Sequence, residues 1–105
     1  MRGQLLRGHL EALLLACLQE ESAHGYELMQ RLYRRSSGAF DLPEGTIYPV
    51  LRRLEREGHL SSKWEDAQGR RRRIYTLTAR GRRRLKAQRA EWDGFVIAIE
   101  EVLGR

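Results

Sequence analysis

The sequence is poor in cysteine and contains no apolar stretch long enough to span a membrane. Cys17 is the only cysteine among 105 residues, so an intrachain disulfide cannot form and a reducing, cytoplasmic compartment fits best. The apolar stretch LEALLLACL at residues 10–18 includes Glu11 and falls short of the roughly 18 residues that a membrane-spanning helix needs. It also lacks the cleavage pattern of a signal peptide. We therefore expect neither a disulfide-stapled secreted domain nor a membrane protein.

The residue patterns of common catalytic and metal sites are also missing. The three histidines, His9, His24 and His59, lie far apart and have no metal-ligand spacing. A glycine-rich phosphate loop followed by Lys-Ser/Thr is not found, and no nucleophile is paired with a recognisable base. We therefore expect no enzymatic activity, no metal ion and no cofactor.

Basic residues are the most abundant charged groups. Twenty Lys and Arg against 14 Asp and Glu give a net charge of +6 and an isoelectric point near 10.2. Such a charge suits a polyanionic partner, either nucleic acid or an acidic membrane surface, and the open alternative is an ordinary basic soluble protein. The length and the 41% apolar content suit one small globular domain.

Apolar residues recur at helical spacing in the first half of the chain. They predict a helix over about residues 5–20 and a second one that starts near Ser22 or His24 and ends at residues 36–38. The segment GTIYPVLRRLE at residues 45–55 predicts a third helix that stops at Gly58. Because this helix contains Pro49, we expect Thr46 to be its N-cap, which would place the proline within the first turn.

The second half of the chain begins with alternating residues that predict two strands, at about residues 60–65 and 73–78. A Gln-Gly turn between them gives a β-hairpin whose tip carries the arginines at residues 70–73. Thr78 is the expected N-cap of a last helix over residues 79–103. The fold class is therefore mainly α with a small β-hairpin. The order of three helices, a hairpin and a last helix is that of a winged helix-turn-helix followed by a long C-terminal helix.

In a winged helix-turn-helix, the third helix enters the major groove and the wing reaches the flanking backbone. We expect this helix to bury Ile47, Leu51 and Leu54 together with Val50. Its opposite face is then the candidate DNA-binding surface, which comprises Thr46, Tyr48, Pro49, Arg52 and Arg53. Wing residues Arg70, Arg71 and Arg72 are candidates for phosphate contacts, since four adjacent arginines repel one another unless an anion neutralises them. The alternative is a solvated arginine face and a solvated charged turn.

Four segments of the sequence resemble the PadR family of bacterial transcriptional regulators. They are LRGHLEALLLACL, AHGYELMQRL, LPEGTIYPVLRRLEREGHL and IYTLTARGRRRL, and together they cover nearly the whole chain. The resemblance implies a homodimeric repressor of the short subgroup, which binds an inverted-repeat operator in double-stranded DNA and is often released by a small effector. It places Tyr48 and Arg52 at DNA-contact positions and residues 70–72 in the wing. It also makes Trp92 and Phe95 candidates for a pocket that takes an aromatic effector, against the alternative that Trp92 only packs.

The last helix also predicts a dimer from its own residues. Its apolar side chains would form an exposed patch of a kind that soluble monomers avoid, and the first helix is the natural partner across the interface. The predicted interface residues are Leu6, Leu10, Leu85, Trp92, Phe95, Ile99 and Val102. We thus expect a DNA-binding domain over residues 1–78 and a dimerisation helix over residues 79–105. The functional alternative is a winged helix that binds a protein or RNA without operator specificity.

Overall fold

Helices make up most of the fold, and one hairpin interrupts them. The computed structural model describes residues 8–104. Its elements are α1 (Leu10–Cys17), α2 (Gly25–Arg35), α3 (Glu44–Arg56), β1 (Leu60–Ala67), β2 (Arg70–Leu77) and α4 (Ala79–Leu103). The expected fold class, mainly α with a small hairpin, is confirmed.

Helix α1 is shorter than its sequence pattern. It begins at Leu10, after a turn at residues 8 and 9, and not near residue 5 as expected. Leu14 and Leu15 are fully buried and Leu18 is 2% exposed, so the wide apolar stripe indeed packs on more than one side. Residues 5–7, including Leu6 of the predicted dimer interface, lie outside the described residues.

The start of α2 is fixed by a histidine cap. His24 has an extended backbone, and its Nδ1 accepts a hydrogen bond from the Glu27 N–H at 3.2 Å. The helix ends at Ser36, and positive φ angles at Ser37 and Gly38 turn the chain away. His24 and the small residues at 36–38 are thus the boundaries that the sequence predicts.

Helix α3 begins earlier than predicted, so the assignment of Thr46 as its N-cap is wrong. The N-cap is Pro43, whose carbonyl already accepts the Thr46 N–H at 3.0 Å. Counting from Glu44, Pro49 is the sixth helical residue and lies beyond the first turn. A proline there removes the hydrogen bond to the Gly45 carbonyl. Because Gly45 and Pro49 are both exposed, water can solvate that carbonyl, which makes the interior proline tolerable.

The hairpin pairs Leu60 with Leu77 at its base and Ala67 with Arg70 at its tip. Its two-residue turn is Gln68–Gly69, with φ angles of 53° and 75°, as a type I′ turn requires. The strands are therefore longer than expected.

A third segment pairs with the hairpin. The Ala23 N–H donates to the Tyr75 carbonyl at 3.1 Å, and the Tyr75 N–H donates to the Ala23 carbonyl at 2.8 Å. Ser22 and Thr76 join their hydroxyl groups beside this bridge at 2.7 Å. The wing is thus fastened to the start of α2.

Helix α4 has one packed half and one exposed half. The Thr78 hydroxyl caps it by accepting the Gly81 N–H at 3.0 Å, and Gly104 ends it in the left-handed conformation, so both predicted bounds are confirmed. Gly81 and Leu85 are buried against the core, whereas most of the residues after Leu85 are exposed. The helix therefore projects an uncovered C-terminal half.

Candidate nucleic-acid interface

Helix α3 has the two faces that its sequence predicts. Ile47, Leu51 and Leu54 are fully buried, whereas Val50, which was also expected in the core, is only partly buried against it. On the other side Thr46, Pro49 and Arg52 are exposed, and Tyr48 is half-buried. The burial of one stripe fixes the rotation of the helix, so that Arg52 points away from the core.

Tyr48 is held in place by its neighbours. Its ring lies against the backbone of Gly25 at the start of α2. Burial, followed by a hydrogen bond with the Glu44 carboxylate, raises the pKa of the Tyr48 phenol. The phenol therefore stays protonated further into the alkaline range than an ordinary tyrosine.

The two adjacent arginines of α3 have different surroundings. Arg52 lines a cleft between α3 and the wing. Arg53 Nη1 lies 3.3 Å from a Glu57 carboxylate oxygen and 4.0 Å from one of Glu11. Arg52 is thus free to meet a ligand in the cleft, while Arg53 is engaged in ion pairs beside α1.

The four wing arginines also have separate environments. Only Arg70 adjoins the turn, because the strands extend further than the sequence indicated. The Arg71 guanidinium carbon lies 4.7 Å from the centre of the Trp64 ring, and that of Arg73 lies 5.1 Å from it. Arg72 Nη1 lies 2.9 Å from Nε2 of His24. Trp64 thus relieves part of the repulsion between Arg71 and Arg73, while Arg72 meets a ring nitrogen instead of a carboxylate.

Arg73 belongs to a polar triangle that joins the wing to α3. Its Nε donates to the Ser62 hydroxyl at 2.8 Å, and that hydroxyl donates to Oε2 of Glu55 at 2.5 Å. Arg73 Nη2 closes the triangle at 3.4 Å from the same carboxylate oxygen. We call Glu55, Ser62 and Arg73 the wing bracket. It could not be predicted from the sequence, because its members are on three elements and no spacing rule relates them.

A cleft with a volume of about 980 Å³ lies between α3, the wing and the start of α2. Five residues predicted to bind DNA line it together: Tyr48, Arg52, Arg70, Arg71 and Arg72. His24, Tyr26 and Trp64 also line it, as do Glu44 and Glu55. Both carboxylates have partners within the chain, so the cleft presents mainly cationic and aromatic groups. Guanidinium groups suit phosphates and guanine edges, and a helix suits the major groove.

A cluster of possible metal ligands forms elsewhere, although the sequence spacing gave no sign of it. One ligand atom each from Glu11, Glu57 and His59 lie within 4.8 Å of one another. The Glu11 carboxylate already accepts a hydrogen bond from Arg84 Nε at 3.2 Å, and Arg53 lies beside both carboxylates. Two guanidinium groups thus neutralise the cluster, which favours an ion-pair network over a cation site.

The residues predicted to form a dimer interface fall into two groups. Leu10 and Leu85 are only 5% and 3% exposed, because the core of the single chain already covers them. Trp92, Phe95, Ile99 and Val102 are exposed, and so are Ile97 and Leu103, which the sequence pattern did not single out. The Trp92 ring meets His9 edge-on at 5.0 Å and lies 5.7 Å from Phe95.

Cys17 is buried, as its place on the apolar face of the first helix predicts. Burial raises the pKa of its thiol, although Arg35 and Arg31 oppose the shift. A thiol without access to solvent and with a raised pKa is a poor redox sensor.

Within residues 8–104, no helix combines the length and the apolar content needed to cross a bilayer.

Comparison with known proteins indicates what kind of protein this is. The sequence profile of the transcriptional regulator PadR-like family matches residues 14–87, which is well over half of the chain. A transcriptional regulator of Mycobacterium tuberculosis, Rv3488, is 36% identical over 85 residues, covering 81% of this chain and 74% of the relative.

Solved structures of this family have the same fold. A PadR family transcriptional regulator from Eggerthella lenta is 33% identical with a TM-score of 0.85, covering 95% of this chain and 86% of its own. A transcriptional regulator from Clostridium thermocellum is 25% identical with a TM-score of 0.87, covering 96% of both chains. The matched profile takes in α2, α3, the whole wing and the start of α4, which are the elements that build the basic cleft. The chain is a winged-helix transcriptional regulator and belongs to the PadR family.

Proposed function

We propose that the chain is a sequence-specific repressor that binds an inverted-repeat operator as a homodimer. The single observation that carries this proposal is the basic cleft, in which exposed Arg52 on α3 lies beside the wing arginines. In this arrangement Arg52 and Tyr48 read base edges, and the wing contacts the flanking phosphates. Thr46 and Pro49 lie on the same exposed face of α3 and approach the groove wall. Arg53 has a smaller part, since Glu57 and Glu11 already hold it.

The homodimer follows from the uncovered half of α4. Five large apolar side chains are exposed along one face of its last three turns: Trp92, Phe95, Ile99, Val102 and Leu103, of which Val102 is 87% exposed. Soluble monomers avoid a patch of this size, and a second copy of the helix would cover it by two-fold symmetry. We therefore assign dimerisation to residues 79–105 and DNA binding to residues 1–78, with Leu85 acting as the joint between them. The protein would work in the cytoplasm, where bacterial DNA lies, and it would act by binding and not by catalysis.

We further propose that an aromatic effector binds beside Trp92 and Phe95. These rings are about half exposed and already form a small aromatic group with His9. An inserted aromatic molecule would find ring faces and edges at the dimer interface. Binding there would change the angle between the two α4 helices and so the distance between the two α3 helices.

Selection of duplexes from a random pool, followed by sequencing, tests the DNA-binding proposal. The recovered duplexes should share an inverted repeat whose half-site centres lie about 34 Å apart, one turn of DNA. Arg52→Ala should weaken binding to the selected duplex by about 1–3 kcal/mol and relax its base preference. Equal losses of affinity for selected and random duplexes would show that Arg52 does not read bases. Preferential recovery of RNA would favour the alternative, an RNA-binding module.

Light scattering after size exclusion tests the dimer. The measured mass should be about twice 12.3 kDa. Val102→Asp should give a monomer, because it puts a charge into the covered stripe. Ala90→Asp is the matched control, since Ala90 is exposed on the opposite side of the same helix and should leave the dimer intact. A monomeric wild-type protein at micromolar concentration would contradict the interface.

A further inference from the structure

The imidazole ring of His24 lies between two hydrogen-bond donors. On one side the Glu27 N–H points at Nδ1, 3.2 Å away, and forms the N-cap of α2. On the other side Nη1 of Arg72 lies 2.9 Å from Nε2. The ring thus joins the start of α2 to the wing.

A neutral imidazole cannot satisfy both of these donors. It has one acceptor nitrogen, and the other nitrogen carries a hydrogen, while a guanidinium has hydrogens only. If Nδ1 accepts the Glu27 N–H, then Nε2–H faces an N–H of Arg72. If Nε2 accepts from Arg72 instead, the cap is lost. In each tautomer two donors face each other without an acceptor between them.

The backbone keeps the two groups in this position. Ala23, the residue before His24, is joined to Tyr75 of β2 by a pair of backbone hydrogen bonds. Tyr75 lies three residues after Arg72 in the same strand. The contact is therefore not a chance meeting of two long surface side chains, since His24 is a helix cap that follows a paired residue and Arg72 belongs to a paired strand. Both groups are also partly buried, and the cleft is open on their solvent side.

The charges around this pair favour an anion. Arg52, Arg70 and Arg71 line the same cleft. The two carboxylates that line it are already engaged: Glu44 bonds the Tyr48 phenol, and Glu55 belongs to the wing bracket. Although Glu65 lies opposite Arg72 in the hairpin, Arg72 forms no ion pair with a carboxylate of the described residues, so an incoming anionic oxygen would meet an available guanidinium.

We propose that His24 and Arg72 together bind one non-bridging oxygen of a DNA backbone phosphate. His24 Nε2–H and an N–H of Arg72 both donate to this oxygen, while Nδ1 continues to cap α2. The phosphate thus supplies the acceptor that is missing between Nε2–H and Arg72 in the free protein, and it favours the tautomer in which Nδ1 caps α2. The inference rests on the proposed DNA-binding function and adds to it a phosphate contact at the junction of wing and α2. Because the contact is to the backbone, it sets the register of the protein on DNA and is independent of sequence.

Four variants separate this role from helix capping. His24→Asn keeps a good N-cap and removes the second nitrogen, Arg72→Ala removes the guanidinium, and the third variant combines both changes. Arg89→Ala is the charge-matched control, because Arg89 is exposed on α4 and is not among the residues that line the cleft. Affinity is measured by fluorescence anisotropy over a series of KCl concentrations, with a random-sequence duplex and with the selected duplex.

We expect Arg72→Ala to weaken binding to both duplexes about tenfold, as for the removal of a hydrogen bond to a charged group. The slope of log K against log salt should become shallower by about 0.9 for each phosphate that the variant no longer binds. His24→Asn should weaken both duplexes several-fold at an unchanged melting temperature. The double variant should lose less than the product of the two single losses, because both groups bind one oxygen. Arg89→Ala should keep nearly the wild-type affinity.

The outcomes separate the phosphate site from the proposed function. If the wild-type protein binds no duplex, the proposed function itself fails. If the wild type binds and His24→Asn matches it in affinity and salt slope, His24 is only a helix cap. The proposal that His24 and Arg72 bind a phosphate together is then refuted. NMR of the His24 ring, with chloride replaced by inorganic phosphate at constant ionic strength, separates DNA from a free anion. Saturation by inorganic phosphate without a response to duplex would overturn the assignment to DNA.

Discussion

The aromatic ring of Tyr48 lies on the backbone of Gly25, so that a methyl group on Gly25 would fall 2.7 Å from Cζ of Tyr48. Two segments that are far apart in sequence, HGYEL and GTIYPVL, thus meet at this point. Any larger residue at position 25 would force the Tyr48 ring to shift. The contact fixes Tyr48 at the edge of the cleft, one turn before Arg52.

Gly25→Ala should therefore displace Tyr48. We expect a loss of about 1–3 kcal/mol in the free energy of unfolding, as for other overpacked sites, together with weaker DNA binding. Urea denaturation measures the first effect and fluorescence anisotropy the second. In a Tyr48→Ala background the added methyl group should cost much less, because the ring is gone. Gly45→Ala is the control: it points into open space and should stabilise α3 by up to about 1 kcal/mol.

The wing bracket predicts a variant that binds random DNA more tightly, whereas Gly25→Ala binds DNA more weakly. Glu55→Gln removes a negative charge from the cleft and loosens Arg73, which then has a guanidinium to offer a phosphate. Affinity for random duplex should rise and its salt dependence should steepen by about 0.9 for one additional phosphate bound. The preference for the selected duplex should fall, because the wing is no longer fixed to α3. Glu20→Gln removes the same charge at an exposed position and should alter neither property. Equal effects of the two variants would show that only the net charge matters and that the wing bracket has no specific role.

Much of the fold could be predicted from local patterns. Helical and strand periods located every described element, and the caps at His24 and Thr78 were found because capping depends on residues a few positions apart. The start of α3 was placed wrongly for the same local reason. Whether Pro49 is tolerated inside the helix depends on the exposure of the Gly45 carbonyl, which only the tertiary structure decides.

The candidate site was predictable in its residue types but not in its connections. The spacing of Tyr48 and Arg52 placed both at the cleft, and the charge of residues 70–72 indicated the wing. The partners of the wing arginines could not be read from sequence, because Arg72 meets His24 across 48 residues. Such pairs follow from how the sheet packs on the helices.

Alkaline pH should destabilise the fold through Cys17. Burial raises the pKa of this thiol above its ordinary value of 9.0, and burial also raises the pKa of Tyr75. In the unfolded chain the thiol loses its proton at lower pH than in the folded chain, so the unfolded state binds fewer protons above that point. The stability that the buried thiol contributes is therefore fully present below the ordinary pKa. It is lost as the pH rises through the raised pKa of the folded chain.

Urea unfolding at several pH values above about 8 measures this loss. Cys17→Ala should lower stability at neutral pH by leaving a small cavity, yet its stability should fall less steeply between neutral and alkaline pH than that of the wild type. Identical pH slopes for the two proteins would show that the thiol titrates alike in both states.

Gly81 fixes the angle at which α4 leaves the winged domain. A methyl group here would overlap the backbone carbonyl oxygen of His59 and lie 2.6 Å from Cδ1 of Leu77. A backbone carbonyl cannot rotate away as a side chain can, so Gly81→Ala should cost about 3 kcal/mol. Gly94→Ala, in the same helix but in open space, should instead stabilise the chain by about 1 kcal/mol.

The pair of variants also tests whether α4 transmits a signal. If the angle of this helix sets the distance between the two DNA-reading helices, Gly81→Ala should weaken the selected inverted repeat more than an isolated half-site. Gly94→Ala should leave their ratio unchanged. Thermal denaturation and anisotropy on both duplexes measure these effects. Equal losses on half-site and full repeat would confine the role of Gly81 to packing, since two-fold spacing matters only when both halves are bound at once.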